Sequence, residues 1–194
     1  MKKFGIVLLV LFSAVLAQNI DSFDFRKTTW GMSKEQVKIT EKKDIEWDTT
    51  LENGLGMLAY KDNVSGFDCF IYYIFVENQL VRATYYFRQE HSKKNGYIDD
   101  YYKLKGIVME KYGKPIEDKQ NWLDDLYKDD YQEWGFAVSL GHLVYYSKWK
   151  TANTNICLVL KGENYNIELE LEYASIKLEE LMNKAKNKEN LNKF

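Results

Sequence analysis

The stretch from Phe67 to Arg88 reads FDCFIYYIFVENQLVRATYYFR, and it indicates two strands joined by a tight turn. Both apolar runs are rich in aromatic and β-branched residues, which favour strands, and the polar pair Glu77-Asn78 suits a short hairpin connection. A strand-like piece, Met57 to Lys61, comes before them, separated by a looser turn at Asn63 to Gly66. These three pieces predict an antiparallel meander.

A second group of strand-like pieces follows in the last third of the chain. Its final member alternates cleanly, because every second residue from Ile167 to Leu171 is apolar and the residues between them are glutamates. Such alternation is typical of a strand with one face on a core and the other toward solvent. The three pieces are His142 to Lys150, Thr154 to Lys161 and Tyr165 to Tyr173.

The two meanders resemble each other in sequence. A shift of 86 positions places Glu77-Asn78 on Glu163-Asn164, Tyr60 on Tyr146, and Phe87 on Tyr173. This favours duplication of a unit made of a helix and three strands, with chance similarity between half-buried hairpins as the alternative. We predict one α+β domain over residues 18–185, with duplicated halves at 18–96 and 97–185.

Helix signals precede each meander. Ser33 and Gln36 have the spacing of a capping box, which predicts a helix from about Lys34 to Lys42. Apolar residues at three- and four-residue spacing predict a second helix from Ile98 to Tyr112, which Gly113 and Pro115 end.

Two further segments are less regular. The stretch from Asn121 to Gly141 fits either a helix or a strand, and we favour the helix because Gly141 makes a natural C-cap. A terminal helix opens at Ser175 and has Leu178, Leu181, Met182 and Ala185 on its inner side. The polar tail at 186–194 is expected to fray.

The N-terminus has the three parts of a secretory signal peptide at residues 1–17. A basic start at Lys2 and Lys3 leads into an apolar run, and Val15 and Ala17 occupy the small-residue positions of a cleavage site before Gln18. The run is shorter than a membrane span, and the other long stretches are interrupted by charges. We therefore expect an exported protein, periplasmic or secreted, without lipid attachment at the cleavage site, because no cysteine stands there.

The two cysteines, Cys69 and Cys157, lie in strand-like runs. In an oxidising compartment they could form a disulfide, and the alternative is two buried free thiols. Sequence does not supply the Cα separation that decides between them.

Composition excludes several classes of function. The chain is 45% hydrophobic and 29% charged with a formal charge of -2, which is typical of a globular protein and unlike a nucleic-acid binder. His91 and His142 show neither catalytic motifs nor metal-ligand spacing, so we predict no enzyme activity, no metal and no cofactor. Clustered carboxylates near Asp124 and Asp130 keep a hydrolase as an alternative.

The aromatic share of 15%, with fifteen tyrosines, is the remaining signal. Neighbouring residues of a strand point to opposite faces, so each adjacent tyrosine pair puts one ring on each face. If only one face is core, the other carries exposed rings that suit a protein partner or a sugar; if helices cover both faces, the rings are buried. The candidate binding residues are Tyr72, Tyr73, Tyr85, Tyr86, Tyr145 and Tyr146.

The segment Trp30-Gly31-Met32-Ser33-Lys34-Glu35-Gln36-Val37 resembles the W-G-M-S-x-E-x-V opening of exported bacterial proteins of unknown function. With the later Tyr112-Gly113-Lys114-Pro115, it is similar to the repeat unit of BamE-like outer-membrane assembly lipoproteins. The β-lactamase inhibitory protein family shares that helix-then-antiparallel-sheet unit. The resemblance implies a binding or assembly role on a sheet surface, although the chain lacks the lipid-modified cysteine of the lipoproteins.

Together these patterns predict a non-enzymatic binding or envelope-assembly protein whose partner is another envelope or extracellular protein. A carbohydrate-binding module is the alternative, and it would require exposed tryptophans in one plane. Trp30 and Gly31 are expected to form a structural entry to the first helix.

Overall fold

The computed structural model describes residues 23–51 and 54–191, so the predicted signal peptide and its cleavage site lie outside the described residues. The elements follow one another as α1 (Lys34–Glu41), β1 (Trp47–Thr50), β2 (Leu55–Val64), β3 (Phe67–Val76), β4 (Gln79–Phe87), α2 (Asn95–Tyr112), β5 (Glu117–Trp122), a 3-10 turn (Tyr131–Glu133), α3 (Trp134–Ser139), β6 (Leu143–Lys150), β7 (Thr154–Glu163), β8 (Asn166–Ser175) and α4 (Glu179–Leu191).

All eight strands form one antiparallel sheet in the order β1-β2-β3-β4-β8-β7-β6-β5. The α+β class is as predicted, but the description as two three-stranded meanders is incomplete. Each meander has a fourth, outer strand, and the two are joined into one sheet by pairing of β4 with β8. The sequence did not indicate β1 and β5, because these edge strands are short and polar.

The strand order is symmetric about the junction between β4 and β8. Tyr85 pairs with Leu171 at the centre, and the flanking pairs are Ala83 with Tyr173 and Phe87 with Leu169. A shift of 86 positions places Ala83 on Leu169 and Phe87 on Tyr173, so it exchanges the two flanking pairs. The shift therefore describes an approximate two-fold relation between β4 and β8. The predicted duplication of halves is compatible with this arrangement.

The same shift fails at the turns and in the outer strands. The β7–β8 turn is Asn164-Tyr165, one residue later than the shift places it, because a register irregularity interrupts the β3–β4 ladder after Ile74. Tyr60 is fully buried in the core, whereas Tyr146 lies on the opposite face, so these two tyrosines are not equivalent.

The first helix follows its sequence signals. Ser33 caps α1, accepting a hydrogen bond from the backbone N–H of Gln36, whose side chain accepts from the Ser33 N–H in return. Lys42 ends the helix in the left-handed conformation. The second helix begins at Asn95, three residues before Ile98, and ends at Gly113.

The ambiguous segment 121–141 contains several structures. Its first two residues are the end of β5. An irregular connection follows, and then the 3-10 turn and the short helix α3. The favoured helix is therefore right only for its last part, because Asp and Lys residues dominate the middle and offer no apolar stripe to bury.

The core lies between one face of the sheet and helices α1, α2 and α3. The six inner strands β2, β3, β4, β6, β7 and β8 send alternate residues into it, and the helices contribute Val37, Ile98, Leu104 and Val138 among others. We call this side the core face and the other side the open face. The terminal helix α4 contacts β3, contributes no described side chain to the main core, and continues to Leu191 beyond its predicted end near Ala185.

None of the helices in the described ranges is long and apolar enough to cross a membrane.

Candidate functional site

The strand register decides which face each candidate tyrosine occupies. Within each adjacent pair one ring is buried in the core and its neighbour lies on the open face, as the alternation of a strand requires. The buried members are Tyr73, Tyr85 and Tyr145, and the half-buried members on the open face are Tyr72, Tyr86 and Tyr146.

The buried tyrosines belong to the core and are unavailable to a partner. Tyr73 is fully buried, and its hydroxyl donates to the carboxylate of Glu41 at the end of α1. Burial raises the pKa of Tyr85 to about 12, because the phenolate form would lose its hydration. The sequence named both members of each adjacent tyrosine pair as candidates, because the order of residues in a strand does not show which face of the sheet the helices cover.

The open face carries a compact group of rings on β1, β3 and β4. Trp47, Phe70, Tyr72 and Tyr86 contact one another, and we call them the aromatic patch. The ring centroids of Trp47 and Phe70 are 4.9 Å apart, those of Phe70 and Tyr72 are 6.0 Å apart, and those of Tyr72 and Tyr86 are 6.4 Å apart. Trp47 is 45% exposed because its strand forms the edge of the sheet.

Sequence reasoning did not select Trp47 and Phe70 as binding residues. Phe70 could have been found from its spacing, since it lies two residues before Tyr72 in an alternating strand. Trp47 could not, because the pairing of β1 with β2 that brings it beside Tyr72 is a tertiary feature.

Two basic side chains border the aromatic patch at Phe70. The Arg88 guanidinium carbon lies 4.7 Å from the centre of the Phe70 ring, and the Lys61 amine lies 5.8 Å from it. Lys61 also makes an ion pair with Glu46 at 2.8 Å. The patch therefore combines apolar ring surface with cation–π contacts at its rim.

The other half of the open face differs in chemistry. Across the junction of the two halves, Tyr86 pairs with Glu170 and Thr84 with Glu172, and Lys161 lies within 3.6 Å of both Glu168 and Glu170. Burial raises the pKa of Glu170, and the nearby Lys161 amine only partly offsets that effect.

The internal symmetry shows that this difference is not imposed by the fold. Under the shift of 86 positions, the core-face residues Tyr85 and Phe87 correspond to Leu171 and Tyr173, which are also large and buried. On the open face the same shift relates Tyr86 to Glu172. On these two central strands the shift therefore preserves the core face and changes the open face.

Tyr146 is separate from the aromatic patch. It lies on β6 in the charged half, where its hydroxyl donates to the Glu117 carboxylate at 2.8 Å. Nearby, the Lys148 amine lies 2.7 Å from another Glu117 oxygen. These contacts join the edge strand β5 to β6, so Tyr146 has a structural partner of its own.

Cys69 and Cys157 are both free, so the disulfide that the sequence allowed is not formed. Cys69 points into the core from β3, whereas Cys157 lies on the open face of β7, and β4 and β8 separate their strands. With strands about 4.8 Å apart, three strand spacings far exceed the reach of a disulfide. Burial raises the pKa of the Cys69 thiol to about 12. Burial also raises the pKa of the Cys157 thiol, so the reactive thiolate is disfavoured at both positions.

The two histidines lie apart, each with a different neighbour. His91 contacts Asp100 at 2.5 Å near the start of α2, while His142 stacks on Tyr127 at the start of β6, on a different element. Within the described ranges no three histidine, cysteine or acidic side chains are grouped as a metal site would require.

The residues of the sequence motif support the fold. The Trp30 indole N–H donates to the Thr154 hydroxyl at 2.9 Å, which ties the entry of α1 to the start of β7. Gly31 has a φ of 88°, a backbone conformation that would be strained for a residue with a side chain. The carbonyl of Gly113 accepts a hydrogen bond from the indole of Trp149, and Pro115 lies in the short link to β5.

No family model, curated protein or solved structure matches this chain.

Proposed function

We propose that this chain is an exported, non-enzymatic binding protein that holds another extracellular or envelope protein against its aromatic patch. The observation that carries the proposal is the cluster of Trp47, Phe70, Tyr72 and Tyr86 on the sheet face opposite helices α1 to α3. A resemblance to BamE-like assembly units and to β-lactamase inhibitory proteins supports a binding role on a sheet.

The composition of the patch suits a protein interface. Tryptophan, tyrosine and arginine dominate the energetic centres of interfaces, because they bury large surfaces and retain polar tips. Rings on paired strands are also held in place by the sheet, which lowers the entropy lost on binding. Arg88 at the rim adds a donor for a polar group on the partner.

The ring geometry favours a protein partner over a sugar. Trp47 and Phe70 are inclined by 57°, and Tyr72 and Tyr86 by 76°, so the rings make no common plane. Only Trp47 and Tyr72 are near parallel, at 13°. Of the five tryptophans, Trp47 alone lies on the open face, whereas a carbohydrate platform would align several.

The test compares partner capture by the wild-type chain with capture by a Phe70→Ser, Tyr72→Ser double variant. Proteins from the envelope and culture medium of the source organism are presented to both. Loss of two anchors should weaken binding by at least about 2 kcal/mol, or roughly thirtyfold. Tyr102→Ser is the control, because Tyr102 is 49% exposed on α2, away from the patch.

Equal capture by wild type and the folded double variant would refute the role of the aromatic patch. Equal loss in the Tyr102→Ser control would show that the effect is unspecific. If an oligosaccharide binds and its binding depends on Phe70 and Tyr72, the ligand is a carbohydrate and the proposal of a protein partner is wrong. Export is tested separately by N-terminal sequencing of protein recovered outside the cytoplasm, which should begin at Gln18.

A further inference from the structure

The connection between β5 and β6 is an extension that the other half of the sheet lacks. It spans residues 123–142, whereas its counterpart between β1 and β2 spans only residues 51–54. The hairpins within each half close through two or three residues, as at Ser65-Gly66. Long insertions in a repeated scaffold are often functional, because the scaffold does not need them.

This connection has a defined conformation. The backbone N–H groups of Leu123 and Asp124 both donate to the carbonyl of His142, at 2.7 and 3.3 Å. The Trp134 indole donates to the Lys128 carbonyl at 3.0 Å and packs edge-on against Trp122. A segment fixed in this way is pre-organised, so binding would require little further ordering.

Although fixed, the segment directs large apolar side chains outward. Leu123 is 68% exposed, Leu126 is 70% exposed and Tyr131 is 56% exposed, all within nine residues. Single exposed apolar residues are ordinary, but a group on one ordered loop is typical of an interaction surface.

The polar residues between them are almost all acidic. Lys128 is the one basic side chain from residue 123 to 133, and it pairs with Asp125 at 3.1 Å. The other carboxylates have no ion-pair partner among the described residues, and they do not converge as a metal site would. They are Asp124, Asp129, Asp130 and Glu133.

We propose that residues 123–133, the acidic loop, form a second docking surface, for a polypeptide that carries lysine or arginine beside a large apolar side chain. The leucines supply apolar surface, and the unpaired carboxylates supply charge complementarity to a basic partner. This surface follows β5 at one end of the strand order, whereas the aromatic patch lies on β1, β3 and β4 toward the other end.

The probe is a random peptide library displayed on phage and selected against the full wild-type protein. Enriched peptides are synthesised and their affinities compared for wild type, a Leu123→Ser, Leu126→Ser variant and an Asp129→Asn, Glu133→Gln variant. Ile39→Ser is the matched control, because Ile39 is 71% exposed on α1.

The expected result is a set of peptides that combine basic and large apolar residues. Each of the two loop variants should weaken their binding at least about tenfold, while Ile39→Ser and Phe70→Ser leave it unchanged. Added salt should also weaken it, because the charges are exposed. Two variants with different chemistry keep the test valid if one of them misfolds.

Three outcomes would overturn the inference. They are loop-dependent peptides without basic residues, peptides whose lysine-to-glutamine analogues bind equally well, and a selection in which no peptide depends on either loop variant. Peptides whose binding depends on Phe70 but not on the loop would support the aromatic patch as a binding surface and refute the acidic loop as one.

Discussion

Removal of Glu41 should destabilise the protein more than any surface substitution, because this carboxylate is the centre of a buried polar network. Its side chain is only 3% exposed, and it accepts hydrogen bonds from Arg26 Nε at 3.0 Å and Nη2 at 3.3 Å. It also accepts from the hydroxyl of Tyr73, a fully buried core residue. The network fastens the N-terminal turn and the end of α1 to the sheet.

Glu41→Leu leaves the Arg26 charge and the Tyr73 hydroxyl without this acceptor. Breaking a buried ion pair from one side costs about 3 to 5 kcal/mol. Arg26 is 23% exposed and keeps Asp62 at 2.9 Å, which favours the lower end. We therefore expect a loss of about 3 kcal/mol in the free energy of unfolding, or roughly 6 to 12 °C in Tm for a domain of this size.

The assay is urea denaturation followed by tryptophan fluorescence, for Glu41→Leu, Arg26→Leu and the double variant. In the double variant no unpaired charge remains, because Asp62 keeps Lys43, so much of the lost stability should return. A cost below about 1 kcal/mol for Glu41→Leu, or strictly additive costs in the double variant, would refute the reasoning.

Three further predictions concern single positions. Trp30→Ala should cost about 2 kcal/mol in urea denaturation, less than for a core tryptophan, because Trp30 is half-buried and its bond to Thr154 is lost; unchanged stability with lost partner capture would instead make it a binding residue. Gly135→Ala should unfold the chain or lower its Tm sharply, because an added Cβ would lie 2.2 Å from the Lys94 carbonyl carbon; a wild-type melting curve would contradict this. Glu170→Gln should raise Tm at pH 7. Burial raises the pKa of Glu170, so the stability that the neutral carboxyl contributes below about pH 4 is lost as the pH rises and the carboxyl ionises. An equal gain in Tm below about pH 4 would point to another cause.

Local chemistry accounts for what the sequence alone predicted correctly. The central strands were found because alternation of apolar and polar residues reflects the two faces of a strand, and the turn at Glu77-Asn78 was found from its polar pair. The α1 start was found because a capping box is a contact between residues three apart, Ser33 and Gln36. These signals depend only on neighbours in the chain.

The candidate site could be predicted only in part for the same reason. Alternation indicated that the two tyrosines of each adjacent pair lie on opposite faces of the sheet, but not which face the helices cover. The choice of Tyr72 and Tyr86 over Tyr73 and Tyr85 depends on the side of the sheet that the helices cover. Tyr73 and Tyr85 were therefore among the predicted binding residues, although they belong to the core.

The sequence by itself determined the α+β class, the central hairpins and the capped first helix, because each follows from contacts between residues close in the chain. Only the tertiary structure decided that β4 pairs with β8 in a single sheet, that Trp47 joins Phe70 and Tyr72, and that Cys69 and Cys157 lie on opposite faces. Those features depend on pairings between distant segments, whose free energy comes from burying whole faces of the sheet and is not encoded in any local pattern.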